Sequence, residues 1–191
     1  MSTAARATGV LLAAGAGVRY GMPKVLAAQG AWLRAAVTAL STGGCDDVVV
    51  VLGAAVVEVP PPARAVVAAA WADGLAASLR AGIAAIESGP AEFAVLHTVD
   101  TPDVGAAVVH RVLAAARSSP HGIARAVYNG RPGHPVVVSR RYWAELAAQL
   151  EQSAHRDEGA RQFLRRRADR VVEVDCTDLA TGRDIDSASP T

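Results

Sequence analysis

The sequence predicts an α/β domain: a three-layer sandwich in which helices cover both faces of a mostly parallel sheet. Three observations predict it. Short apolar runs alternate with segments of helical spacing along the chain. The run Asp47–Leu52 (DVVVVL) carries four consecutive β-branched valines, which suits a strand buried on both faces. The 191 residues are 51% hydrophobic but only 4% aromatic, so the core must be built from Ala, Val and Leu. Such small side chains favour close packing of helix on sheet. A chain of this length buries a real core as one domain. No linker is long enough to split residues 1–191, and the tail after about residue 181 reads as irregular.

The elements follow in order. Ala7–Leu12 reads as a strand that breaks into a Gly-rich loop over residues 15–21. Residues 32–40 show helical spacing and stop at Gly43-Gly44. Asp47–Leu52 is the second strand. Pro60-Pro61-Pro62 excludes helix and central strand, so it is a surface connection. Residues 65–68 form a short third strand, and residues 75–86 a helix ending near Gly89-Pro90. Residues 92–99 are a strand terminated by Asp100-Thr101-Pro102, and residues 106–116 a helix stopped around Pro120. Residues 123–127 and 135–139 read as strands flanking Asn129-Gly130-Arg131-Pro132-Gly133. Helices over 141–150 and 159–167 and a strand over 171–174 complete the pattern.

Charge and composition exclude several functions. With 19 basic and 18 acidic residues the net charge is +1, without the basic excess of a nucleic-acid binder. The local run Arg165-Arg166-Arg167 with Arg170 reads as a solvated helix end. No apolar run reaches the length of a membrane span. Met1 to Thr8 lacks the apolar centre of a signal peptide, so a cytoplasmic location is expected. Cys45 and Cys176 form no CxxC pair, which leaves no zinc or redox motif and two reduced thiols.

The chemistry concentrates in Leu11-Leu12-Ala13-Ala14-Gly15-Ala16-Gly17-Val18-Arg19-Tyr20-Gly21-Met22-Pro23-Lys24, between the first strand and the first helix. Small residues let backbone N–H groups approach a phosphate. Arg19 and Lys24 add two cations, one able to grip two oxygens and one acting as a point charge. A Walker A loop is excluded, because Pro23 precedes Lys24 and Val25 follows it. Gly15, Gly17 and Gly21 give GxGxxxG instead of the dinucleotide GxGxxG, and no acid ends the second strand to hold a ribose.

This segment resembles the LAAGxGxRxGxPK signature of the molybdenum cofactor cytidylyltransferase-like (MobA-like) NTP transferases. The resemblance implies a Rossmann-like sheet, an NTP bound over Leu12, Ala13, Ala14, Gly15 and Gly17, and Mg²⁺-dependent transfer of a nucleoside monophosphate to a phosphorylated acceptor. Further segments extend it over most of the chain. Trp71-Ala72-Asp73-Gly74-Leu75-Ala76-Ala77-Ser78-Leu79 resembles the family's W-x-x-G-x-x-x-S-L, which implies nucleotide contacts from Gly74 and Ser78; an ordinary helix entry is the other reading. The family often places Asn before this Trp, where this chain has Ala70. Asp100-Thr101-Pro102 resembles the family's D-x-P, which makes Asp100 a metal carboxylate; as a bare turn it reads as a cap. Beside it, Val99 is less typical and narrows the site.

Gly133-His134-Pro135 and Asp157-Glu158-Gly159-Ala160-Arg161 resemble G-H-P and D-x-G-A-R of the cytidylyltransferase branch. They imply that His134 faces the acceptor phosphate or the active-site metal, and that Arg161 binds the acceptor phosphate. A structural His and helix-terminal charges are the readings without the resemblance. Asp184-Ile185-Asp186-Ser187 resembles D-I-D-T-P, with Ser187-Ala188 in place of Thr-Pro, and implies that Asp186 is a second metal carboxylate. Its rival is a tail with no fixed position.

The expected reaction is in-line displacement at the α-phosphorus of an NTP, CTP by the closest resemblance. Arg19, Lys24 and Asp100 are the catalytic candidates. The expected acceptor is a molybdopterin-type cofactor, and a molybdoenzyme or its maturation factor is an implied partner. GMP transfer, a sugar-phosphate acceptor, or a nucleotide-binding protein without turnover remain as alternatives. A dinucleotide oxidoreductase is disfavoured by the glycine spacing.

Overall fold

The computed structural model describes residues 5–152 and 159–186. Its strands are β1 Ala7–Leu12, β2 Asp47–Leu52, β3 Arg64–Val67, β4 Phe93–Thr98, β5 Ile123–Tyr128, β6 Arg131–Ser139 and β7 Val172–Asp175. They form one seven-stranded sheet in the order β3-β2-β1-β4-β6-β5-β7. Only β6 runs against its neighbours, β4 and β5; every other pair is parallel. The helices are α1 Ala27–Thr42, α2 Leu75–Glu87, α3 Ala106–Ser118, α4 Trp143–Gln152 and α5 Arg161–Arg165. The sheet is thus the mostly parallel, doubly covered α/β sheet that the sequence predicts.

The strand period divides the core in two. Leu11 packs with Leu33, Val37 and Leu40 of α1 and Val112 of α3. Val10 and Leu12 face the other side, with Leu79 and Ile83 of α2 and Trp143 of α4. Val48 and Val50 serve the first core, and Val49 and Val51 the second. That division is why β2 is apolar without alternation. Burying each Val contributes about 2 kcal/mol before entropy is counted. Small residues bring the layers close: a Cβ on Gly82 of α2 would lie 2.5 Å from Cγ1 of Val10.

Several boundaries differ from the sequence expectation. Ala28, Gln29 and Gly30 have positive φ inside α1, so regular helix begins only after Gly30. The strand expected at 135–139 begins at Arg131, because Asn129 and Gly130 close the hairpin alone with φ of 50° and 74°. Pro132 and Gly133 mimic loop residues, yet Tyr128 pairs with Arg131 and Val127 with Pro132. The helix expected over 159–167 is shorter, Arg161–Arg165. Asp157 and Glu158 lie outside the described residues, as do Ser187 and Ala188.

The topology places the site. From β1 the chain crosses to β2 on one side, while β4 adds on the other. Open α/β sheets bind ligands at such a switch point, beyond the carboxyl ends of the strands.

Candidate active site

Leu12 and Thr98 are partners at the carboxyl ends of β1 and β4, and a cleft of about 520 Å³ opens above them. Its floor is tied on both sides. The Ala13 amide donates to the Val51 carbonyl at 3.0 Å, and the Val99 amide to the Leu12 carbonyl at 3.2 Å. The loop then turns sharply at Gly17, whose carbonyl accepts from the Tyr20 and Gly21 amides at 2.9 and 2.8 Å. Gly17 has φ of +61°, and a Cβ there would lie 1.9 Å from the Met22 carbonyl oxygen. The Tyr20 ring rests 5.3 Å from that of Trp32 and so anchors the loop to α1. At Gly15 a Cβ would meet nothing within 4 Å. Packing within the protein therefore does not require this glycine.

The opposite wall comes from the segment entering α2. Gly74 caps α2 without a side chain, at φ of +103°. The first amides of that helix have no intrahelical acceptor, which favours an anion. Ser78 is buried, and its hydroxyl donates weakly to the Gly74 carbonyl at 3.4 Å. Trp71 also lines the cleft and packs against Gly53, where a Cβ would lie 2.5 Å from the Trp71 Cβ.

Charge is focused at one end. Lys24 Nζ lies 2.8 Å from Asp100 Oδ2 and 3.0 Å from Asp186 Oδ1. Arg19 is largely exposed and stands 3.7 Å from Asp186. Burial works to lower the Lys24 pKa, but the hydrogen bonds and charges of the two carboxylates outweigh it and leave it raised. The hydrogen bond from Lys24 holds the Asp186 carboxyl below its ordinary range. Asp184, beside them, is pushed up by burial and by the negative charge of Asp100.

The residues fit a divalent cation. Asp100 Oδ1 is buried with no hydrogen-bond partner. Among the described residues no three His, Cys, Asp or Glu side chains group into a closed metal site. One or two carboxylates completed by phosphate oxygens are the usual holding set for Mg²⁺. Asp100 and Asp186 supply that number.

Behind Asp100 lie two imidazoles. His97 is fully buried, and neither ring nitrogen has a partner. Burial first, then the neighbouring His134, pushes its pKa down to about 3. The His134 ring centre is 6.5 Å away, and its Nδ1 lies 3.4 Å from the Leu96 carbonyl. Burial lowers the His134 pKa too, against the effect of that carbonyl.

The cleft thus gathers Leu12, Ala13, Ala14, Gly15, Gly17, Arg19, Lys24, Gly74, Ser78, Asp100 and Asp186. His134 and Arg161 do not line it, although the charges of Asp184, Asp100 and Arg161 act on the His134 ring. Asp186 is not adrift, since Lys24 holds it. Sequence reasoning missed the lining by Trp71, Tyr20 and Thr98 and the placing of Asp184. Trp71 and Asp184 occupy specified positions of the W-x-x-G-x-x-x-S-L and D-I-D-T-P segments and so carried a readable signal, whereas Tyr20 fills a variable position of its segment and Thr98 lies in none.

The profile of the MobA-like NTP transferase domain matches residues 9–171. A curated relative from Paenarthrobacter nicotinovorans, named nicotine blue oxidoreductase, is 37% identical over 195 residues, covering 94% of this chain and 92% of that protein. The crystal structure of Rv0371c from Mycobacterium tuberculosis H37Rv is 30% identical, with a TM-score of 0.76 over 97% of this chain and 95% of its own. Rv0371c in complex with manganese matches at 25% identity and a TM-score of 0.64, covering 89% and 88%.

Proposed function

The chain belongs to the MobA-like NTP transferase family, and from that premise we propose that this nucleotidyltransferase moves CMP from CTP to the terminal phosphate of a molybdopterin-type cofactor, releasing pyrophosphate. The observation that carries the reading is Lys24 held between Asp100 and Asp186, facing a loop whose Gly15 leaves open space. We take residues 1–191 as one nucleotidyltransferase domain in the cytoplasm. Among the described residues, no helix is long and apolar enough to cross a membrane.

The acceptor phosphate is ionised near neutral pH, so no general base is required. The work left to the protein is positioning and charge stabilisation. Backbone amides at Ala14 and Gly15 meet the triphosphate, and Arg19 and Lys24 stabilise the charge that develops on pyrophosphate. Gly74 and Ser78 bound the nucleoside end, with Trp71 as its apolar wall. His134 and Arg161 stand on the acceptor side. Asp100 and Asp186 would hold Mg²⁺, which supplies Lewis-acid stabilisation of the phosphoryl oxygens when bound. The complex of Rv0371c with manganese supports a divalent ion in this role. A molybdoenzyme or its maturation factor would receive the product.

A second reading rests on the relative at 37% identity, whose name is that of an oxidoreductase. Here the cleft would take a nicotinamide dinucleotide. Against it stand the Gly15, Gly17 and Gly21 spacing and the end of β2 at Leu52-Gly53, where no acid waits for a ribose.

A thermal-shift panel of CTP, GTP, ATP, UTP, NADH and NADPH with Mg²⁺ separates the readings, since a ligand binding only the folded state raises its melting point. Stabilisation by CTP, and pyrophosphate release once a phosphorylated pterin is added, is the expected result. A preference for GTP redirects the reading to GMP transfer. Binding without release makes the protein a nucleotide carrier. Stabilisation by NADH or NADPH alone overturns nucleotidyl transfer in favour of hydride chemistry.

A further inference from the structure

We infer that Asp103 is a positioning residue for this reaction: by gripping residues 181–182 it sets Asp184 and Asp186 against Asp100 and Lys24. Its catalytic consequence rests on the nucleotidyltransferase reading, whereas its structural basis does not.

Residues 181–186 lie in no helix or strand, so no ladder of backbone bonds fixes them. Single contacts do. Asp103 Oδ2 accepts from the Thr181 amide at 2.7 Å, the Thr181 hydroxyl at 2.6 Å and the Gly182 amide at 3.2 Å. Hydrogen bonds to an ionised carboxylate are roughly twice as strong as neutral ones. Gly182 has φ of +61° and lies on the Tyr128 ring, where a Cβ would come within 2.2 Å of the ring carbons. Tyr128 is locked in turn, donating its hydroxyl to the His134 carbonyl at 2.7 Å. Beyond this clamp the Ile185 amide donates to the Asp100 carbonyl at 3.0 Å, and Asp186 reaches Lys24.

Asp103 and Asp100 stand on the same turn after β4. A turn that carries one carboxylate of the site therefore also holds the segment that delivers the others. Without the grip of Asp103, Asp184 and Asp186 would sit on a strand-free segment hinged at Tyr128. Their register against Asp100 would then depend on the Ile185 bond and on the contacts of Asp186 with Lys24 and Arg19.

The test uses Asp103→Ala and Asp103→Asn, the latter keeping an oxygen that accepts the same bonds. Amide hydrogen exchange at Ile185, without ligands, should accelerate about tenfold or more in Asp103→Ala and clearly less in Asp103→Asn, which keeps the bonds in their weaker neutral form. Mn²⁺ binding, followed by electron paramagnetic resonance with CTP present, should weaken about tenfold in Asp103→Ala. Asp186→Asn should weaken it in the wild type but add little in the Asp103→Ala background, because the two act through one placement. Unchanged exchange at Ile185, or fully additive losses of Mn²⁺ affinity, overturns the inference. If the wild type binds neither Mn²⁺ nor nucleotide, the nucleotidyltransferase reading fails, while exchange at Ile185 still decides the role of Asp103.

Discussion

Lys24 and Asp100 meet at 2.8 Å although 76 residues separate them in the chain. The contact joins the end of the Gly-rich loop after β1 to the end of β4, and both residues line the cleft. Asp186 closes the same ammonium from the tail. A ligand that brings both a divalent ion and phosphates supplies each partner with a new counter-charge: the ion for the carboxylates, the phosphates for Lys24.

Lys24→Ala should therefore cut nucleotidyl transfer far more than it cuts stability. The side chain is largely buried between the two carboxylates but belongs to neither hydrophobic core, so the melting point should move by a few degrees only. Loss of one preorganised charge in the cleft should lower kcat/KM about 10²–10³-fold. Pyrophosphate release and a thermal melt measure the two together. Full transfer by the variant would remove Lys24 from the mechanism.

The same contact makes a titration prediction. Lys24 holds the Asp186 pKa below the ordinary carboxylate range. A depressed carboxylate stabilises the fold above its unfolded pKa and loses that contribution as pH falls through the folded value. Lys24→Ala should move the Asp186 carboxyl resonance to a higher midpoint in an NMR titration. An unmoved midpoint would show that the pair does not form in solution.

Asp100→Asn should remove activity together with its dependence on divalent ions. Its Oδ1 is buried without a partner, so the amide is left with a group that no neighbour satisfies. Near-normal rates for the wild type in EDTA would take the metal out of the scheme.

Gly15 and Gly17 separate ligand binding from folding. At Gly15 a Cβ has open space, so Gly15→Ala should fold with an unchanged melting point while the KM for NTP rises about tenfold or more, if backbone there meets phosphate. At Gly17 the positive φ and the 1.9 Å approach to Met22 oppose any side chain. Gly17→Ala should cost about 1–3 kcal/mol of stability. Equal effects of the two variants on folding would contradict this division.

What could be read in advance follows from where the information lies. β1 and β2 were legible to the residue, because an apolar run bounded by turn residues carries its own limits. Asp100 and Lys24 were legible as separate groups through their motifs. Their 2.8 Å meeting depends on β4 adding beside β1, which is a tertiary fact. The start of β6 was hidden by Pro132 and Gly133, whose local preference yields to pairing with β5. Asp103 and Tyr128 carry no motif. Their part is visible only once residues 181–186 are seen to cross from β7 back to the turn after β4.

His97 gives a pH dependence unrelated to any ligand. Its folded pKa is about 3, against an ordinary 6.5. Between those values the unfolded chain holds the proton and the folded one does not, so stability falls as pH drops from about 6.5 towards 3. The loss should amount to a few kcal/mol over that window. His97→Leu deletes the group and with it the slope. It also removes two buried ring nitrogens that have no partner, so stability at pH 7 should be little changed despite the altered shape. Urea unfolding midpoints at pH 7 and about pH 4.5 give the comparison. The wild-type midpoint should fall more steeply than that of the variant. Parallel declines would mean that His97 takes up its proton in the folded state, and that the space between it and His134 is wetter than its burial implies.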